Sequence, residues 1–188
     1  MKKQRKNAGF SLIEMMCTLL ILVLLVMAIG VGMDAGGKIY KDATFEAESA
    51  TLAGIMNTTL GDILRYSVKV EKLSQQQQAD LGVINQNFLF TSVDYGIESA
   101  YFYIPPNEKG GYRGIMQMKS LKDAEVTLDL MNTGAYPDLV ISDLSVVYHE
   151  RKNPGVEGGY FDISYHIYCE SDETKHREVV HIVRLMND

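Results

Sequence analysis

One carboxylate, Glu14, interrupts an otherwise uncharged apolar run at residues 10–33, which reads FSLIEMMCTLLILVLLVMAIGVGM. A charge at the centre of a membrane span costs about 2.5–3.5 kcal/mol, and less near an end. A carboxylate kept at such a cost is expected to meet a positive partner. The other chemistry-bearing side chains are dispersed. His149, His166, His176, His181 and Cys169 all lie in the C-terminal part of the chain. His166 and Cys169 are three apart on a strand-like segment, so they face opposite sides, which suits neither a shared metal nor a Cys–His nucleophile pair. His149 and Glu150 are adjacent and face apart in the same way. No HExxH, GxSxG, P-loop or Rossmann fingerprint occurs. Asp123, Glu125, Asp129, Asp138 and Asp143 lack EF-hand spacing. These patterns point to no catalytic residue, no metal and no cofactor, and the chain is expected not to be an enzyme.

The element that carries Glu14 is membrane-sized. About 20 apolar residues at 1.5 Å rise span the hydrocarbon core of a bilayer. Lys2, Lys3, Arg5 and Lys6 precede the run. Positive flanks stay cytoplasmic, so the chain after Met33 is expected to face outward. A secretory signal peptide has an apolar core of only about 7–15 residues and a small-residue cleavage site after it. This run is too long, and Ala28, Gly30 and Gly32 imitate such a site weakly. A plain membrane anchor fits the length but leaves Glu14 without a purpose.

Gly9-Phe10-Ser11-Leu12-Ile13-Glu14, after a short basic leader and before an unbroken apolar helix, resembles the N-terminal signal of type IV pilins and pseudopilins. The resemblance covers about the first 34 residues and is taken as that of a minor pilin-like subunit. It implies that a membrane-embedded prepilin peptidase cuts between Gly9 and Phe10 and that Phe10 is then N-methylated. It also implies that Glu14 is the family's assembly glutamate. The logic is physical. A cut before the apolar run keeps that run in the mature protein. Gly9, without a side chain, lets a protease approach the backbone. The new amine at Phe10 lies one helical turn from Glu14, which can neutralise it within the subunit or across to a neighbour. One departure is that many members carry a proline in the apolar helix, whereas none occurs here before Pro105. Gly30 and Gly32 are positioned to soften the helix, at about 1 kcal/mol each, or to permit close packing.

The 188 residues suit one ordinary domain with an appendage, and the apolar fraction of 46% suffices for a core. Net charge is -6. Without residues 1–9 about 14 basic side chains remain against 24 acidic ones, a balance that repels phosphate backbones. Cys17 lies in the apolar run and Cys169 near the C-terminus, so no disulfide is expected between them.

Beyond the run, Phe45, Leu52, Ile55, Met56, Leu60, Ile63 and Leu64 form one stripe of an amphipathic helix over 38–67. If Phe10 to about Tyr66 is a single helix, it is roughly 85 Å long. Gln75 to Gln78 suit a helix face or a loop. Strands are expected at 88–93, 99–104, 112–119, 125–131, 139–149, 160–170 and 177–186, with a turn at Asp94-Tyr95-Gly96. Pro105-Pro106-Asn107 and Lys109-Gly110-Gly111 end the second of these. Phe161, Ile163, Tyr165, Ile167 and Cys169 alternate with polar residues, and Val179, His181, Val183 and Leu185 share a face. Gly155, Gly158 and Gly159 mark the turn of a hairpin. The expected fold is α+β: a long N-terminal helix, apolar in its first half and amphipathic in its second, packed on an antiparallel β-sheet head. The expected divisions are a leader at 1–9, a transmembrane or filament-core helix at 10–34, an amphipathic helix at 35–67 and a β-rich head at 68–188.

The function implied by the resemblance is structural: a subunit of a type IV pilus or a related pseudopilus of type II secretion or competence. The alternative is a single-pass membrane protein with an extracellular binding or sensory head. Implied partners are prepilin peptidase, other pilin or pseudopilin subunits, a membrane assembly platform, and the lipid bilayer before assembly. Tyr101-Phe102-Tyr103 is a strand signature before it is a stacking platform. Nucleic acid is expected only indirectly, in a competence system. The implied location is the bacterial cytoplasmic membrane, with the N-terminus inside and the head outside, and then a cell-surface or periplasm-spanning filament.

Overall fold

Proline is absent before Pro105, and leucine, methionine and alanine are frequent in the first third of the chain. Nothing there removes a helix donor. The computed structural model describes residues 11–83, 85–105, 113–123, 127–131, 134–150 and 159–186. In it, helix α1 runs Leu12–Arg65. The chain divides into two compact units, Met1–Thr44 and Phe45–Asp188, and α1 contributes to both.

In the first unit every residue from 11 to 43 is exposed. The membrane-length apolar window of α1 buries nothing within the chain.

In the second unit the helix turns one face inward. Phe45, Ser49, Leu52, Ala53, Met56, Leu60, Gly61, Ile63 and Leu64 are buried. This follows the expected stripe with one correction: Ile55 is 46% exposed. It stands about 100° round the helix from Met56, just past the edge of the face. The helix ends at a buried serine. Ser67 donates from its hydroxyl to the carbonyl of Leu64 at 2.8 Å, satisfying a terminal acceptor.

Strand β1 (Lys69–Lys72) comes next, in a polar stretch without a strand pattern of its own. Helix α2 (Gln75–Leu81) holds the glutamines. Its capping box joins Ser74 and Gln77, and Gly82 closes it at φ 65°, where a glycine costs least.

The remaining strands are β2 (Phe88–Ser92), β3 (Ile97–Tyr103), β4 (Arg113–Gly114), β5 (Gln117–Ser120), β6 (Thr127–Asp129), β7 (Leu139–Glu150), β8 (Gly159–Cys169) and β9 (Asp172–Arg184). All ladders between them are antiparallel. The α+β class therefore stands. The expected sheet, however, resolves into two, in the orders β1-β2-β3-β5-β6 and β4-β7-β8-β9. The expected strand at 112–119 is divided between them. β4 pairs with β7 and β5 with β3, and the chain crosses over at Ile115 and the fully buried Met116. The hairpin of β7 and β8 forms as expected, closing at Glu150 and Gly159. Gly155 and Gly158 lie outside the described residues, as do 106–112, which include most of the Pro- and Gly-rich loop. Of the strand expected at 125–131, β6 covers Thr127–Asp129, and 124–126 lie outside the described residues.

A single core joins the helix face to both sheets. Ring pairs run through it: Phe88 with Phe161 at 4.9 Å, Phe90 with Phe102 at 5.0 Å, and Tyr148 with Phe161 at 5.1 Å. Gln86, through its backbone, and Asn87, through its side-chain amide, fasten sheet to sheet. Buried Gln86 donates to the carbonyl of Phe88 (2.9 Å) and accepts from the amide of Phe102 (3.1 Å), and its backbone bridges to Val146. Asn87 exchanges two bonds with the backbone of Tyr148, at 2.8 and 3.2 Å.

Candidate functional site

The start of α1 is built by two side chains. Ser11 donates from its backbone amide to Oε2 of Glu14 at 2.9 Å. Glu14 returns a bond from its own amide to Oγ of Ser11 at 3.3 Å. This reciprocal pair is a capping box, which satisfies two of the amides that a helix start leaves open. Glu14 also stands in the first turn, where the helix dipole favours a negative charge. Its role in the lone chain is thus local. Ser11 is the residue that composition-level reasoning overlooks, although Ser-x-x-Glu ahead of an apolar run is the pattern that reveals it. Gly9 and Phe10, the expected cleavage and methylation positions, lie outside the described residues.

After Glu14 the helix surface is apolar all round and open. Leu19, Leu20, Leu22, Leu24, Ile29 and Val31 are all exposed. A surface of this kind needs lipid or another apolar surface against it. One helix in the chain is long and apolar enough to cross a membrane, among the described residues.

The head brings its polar side chains together in small, separate groups. His149 stacks on Tyr160 at 4.8 Å and meets Asp162 at 3.0 Å. His166 lies 3.6 Å from Asp143 and near the rings of Tyr168 and His176. Among the described residues no three His, Cys, Asp or Glu side chains converge as a metal would require. Cys17 and Cys169 are both free thiols. Cys169 is half-buried against the core, with Sγ 3.2 Å from Oγ of Ser171. Tyr103 carries the ammonium of Lys119 over its ring at 3.9 Å. Burial pushes the phenol of Tyr101 up from its ordinary value. It pushes that of Tyr165 up further, deep in the core, where its hydroxyl donates to Oδ1 of Asn57 at 3.1 Å.

Residues 4–30 match the family model of the prokaryotic N-terminal methylation motif, and the match lies wholly within the first unit. No curated protein and no solved structure matches the chain. The motif is the type IV pilin and pseudopilin signature; it supports a type IV pilin-like precursor processed by prepilin peptidase, and with the apolar helix that carries it, it fits a membrane-anchored precursor.

Proposed function

We propose that this chain is a structural subunit of a type IV pilus or a related pseudopilus, cut between Gly9 and Phe10, N-methylated at Phe10, and assembled through residues 10–34. The observation that carries this reading is the position of the motif. It ends inside a helix whose residues 11–43 are exposed and whose apolar window covers nothing of its own chain. Before assembly the bilayer covers that surface; in a filament the same surfaces of other subunits do. The capping box uses only Ser11 and Glu14, so it is compatible with a cut one residue earlier. Glu14 then serves the helix start and a neighbour's Phe10 amine in turn. The chain performs no catalysis in this reading: the peptidase cuts, and a membrane assembly platform supplies the motion. The precursor sits in the bacterial cytoplasmic membrane with the head outside. The mature subunit belongs to a surface or periplasm-spanning filament of a pilus, type II secretion or competence system.

The test is mass spectrometry of the mature N-terminus from cells that contain a prepilin peptidase. N-methylated Phe10 is the expected terminus. A retained Met1 overturns the reading and favours a single-pass protein with an outward binding or sensory head. Gly9→Val is expected to leave more than about nine-tenths of the chain uncut, because a branched side chain blocks close approach to the backbone. Glu14→Ala is expected to be cut normally but to fail in assembly.

A further inference from the structure

Strand β9 is the outer strand of its sheet, and among the described residues no strand lies beyond it. Its pairing with β8 runs without a break from His176 to Arg184. One bond fixes the direction of its backbone groups. The amide of Leu185, just past β9, donates at 3.1 Å to the carbonyl of Gly159, the residue opposite it in the register. Bonded and unbonded pairs alternate along an antiparallel ladder. Arg177, Val179, His181 and Val183 therefore turn their N–H and C=O groups toward β8. His176, Glu178, Val180, Ile182 and Arg184 turn theirs out of the sheet. Met186 continues the outward series, and its amide donates to the carbonyl of Arg65 at 3.0 Å, which closes the open edge at that end.

Folded chains usually blunt such an edge with proline, lysine or a bulge. Residues 176–184 contain none of these. Arg177 points inward but is tied to Glu46 and Ser49 of α1. On the outward face Val180 and Ile182 are 66% and 60% exposed. Glu178 and Arg184 flank them, exposed and without an ion pair among the described residues. We propose that this edge pairs with the same edge of a second copy, antiparallel, about a two-fold axis at His181. Bonded partners must both have backbone groups that face outward, so even-numbered positions meet even-numbered ones. Centring on Val180 sets Glu178 against Ile182, and centring on Ile182 sets Val180 against Arg184. Centring on His181 sets Val180 against Ile182 and Glu178 against Arg184, each twice. About eight backbone bonds form in that register. His181 itself faces inward, beside Gly61. Arg177 meets Glu46 and Met186 meets Arg65, so β9 runs in the same sense as the helix segment behind it. The two-fold axis reverses that segment in the second copy. Subunits drawn from one membrane share a helix direction. In the filament reading the pair thus joins two filaments lying side by side in opposite senses. That consequence rests on the filament reading, whereas the edge lies in the head and does not depend on how the N-terminus is processed.

The test is sedimentation of the full chain in density-matched detergent micelles. A reversible dimer is expected, with a Kd on the order of 10 µM for so small an interface. Val180→Pro removes an amide that points out of the sheet, so the bonds to β8 are kept and the unfolding midpoint of the head is expected to hold. The dimer is expected to weaken by about tenfold or more. Glu178→Arg and Arg184→Glu are each expected to weaken it about fivefold, and the two together to restore it to within about twofold. A chain still monomeric at about 0.1 mM, or a species that grows beyond the dimer, would overturn the pairing. So would a dimer that Val180→Pro leaves intact, or a double charge variant no tighter than the single ones.

Discussion

The two parts of helix α1 obey one backbone rule and opposite burial rules. Residues 12–43 are exposed on every side, whereas from Phe45 to Leu64 one face is closed against the sheets. Both parts are rich in apolar side chains. In the second part the apolar face has a partner in the same chain, so its residues contribute to the stability of the fold. In the first part no such partner lies among the described residues, and in the proposed reading its residues serve insertion and assembly. Burial in the single chain therefore separates what holds this protein together from what joins it to something else.

Paired substitutions break or sharpen that contrast. Leu60→Ala removes a fully buried side chain from the helix–sheet core. It is expected to destabilise the head by about 2–5 kcal/mol, measured by denaturant unfolding of the full chain in micelles. Leu24→Ala, in the exposed part, is expected to leave that transition in place. An equal loss from both would show that the first part also supports the head. Gly159→Ala should follow in size. A Cβ there would overlap Cε2 of Tyr148, inside the paired ends of β7 and β8. The ring already packs on Phe88 and Phe161, so displacing it costs about 1–3 kcal/mol. An unchanged unfolding midpoint would mean that Tyr148 moves aside freely.

The same contrast decides how much was legible in the residues. The alternation at 160–170 identifies β8 because one face is buried, and a period of two survives any tertiary context. The stripe on α1 is legible for the same reason with a period near 3.6. The two-sheet division is hidden, because residues 112–119 read as one strand while the chain crosses between sheets within it. Ser49 is hidden as well. Its hydroxyl is buried because it accepts from Nε of Arg177, which also pairs with Glu46, and that partner lies 128 residues away. Gln86 depends on contacts of the same kind, with Phe102 and Val146. At the N-terminus the signal is local: Ser11 and Glu14 are three apart and bond to each other, so their pairing needs nothing distant.

Tyr165 gives the contrast a pH dependence. Its phenol is buried in the head, and burial raises its pKa above the ordinary value near 10. The folded state thus holds the proton more tightly than the unfolded state. The resulting stability is fully present below the unfolded pKa and is lost as pH rises beyond about 10. Tyr165→Phe removes the bond to Asn57 and is expected to cost about 1 kcal/mol at neutral pH. It should also flatten the alkaline fall in unfolding temperature, measured between about pH 9 and 11.5. A variant with the same alkaline slope as the parent would show that other groups carry it.

Ser11→Ala probes the smallest and most local effect, in the exposed part of the helix. It removes the hydroxyl that accepts from the amide of Glu14 and leaves that amide without its cap. A lost N-cap costs about 0.5–2 kcal/mol, confined to the first turn. Hydrogen exchange should therefore quicken at the amides of residues 12–15, while exchange at 45–64 and the unfolding midpoint of the head stay as they were. The carboxylate of Glu14 keeps its bond from the Ser11 backbone in this variant, because that donor is not a side chain. Ser11→Ala thus separates the capping of the helix from the charge on Glu14. If assembly persists in Ser11→Ala and fails in Glu14→Ala, the glutamate is needed for its charge toward a neighbour and not for the start of its own helix. If both fail alike, the capped first turn is the feature that the filament requires.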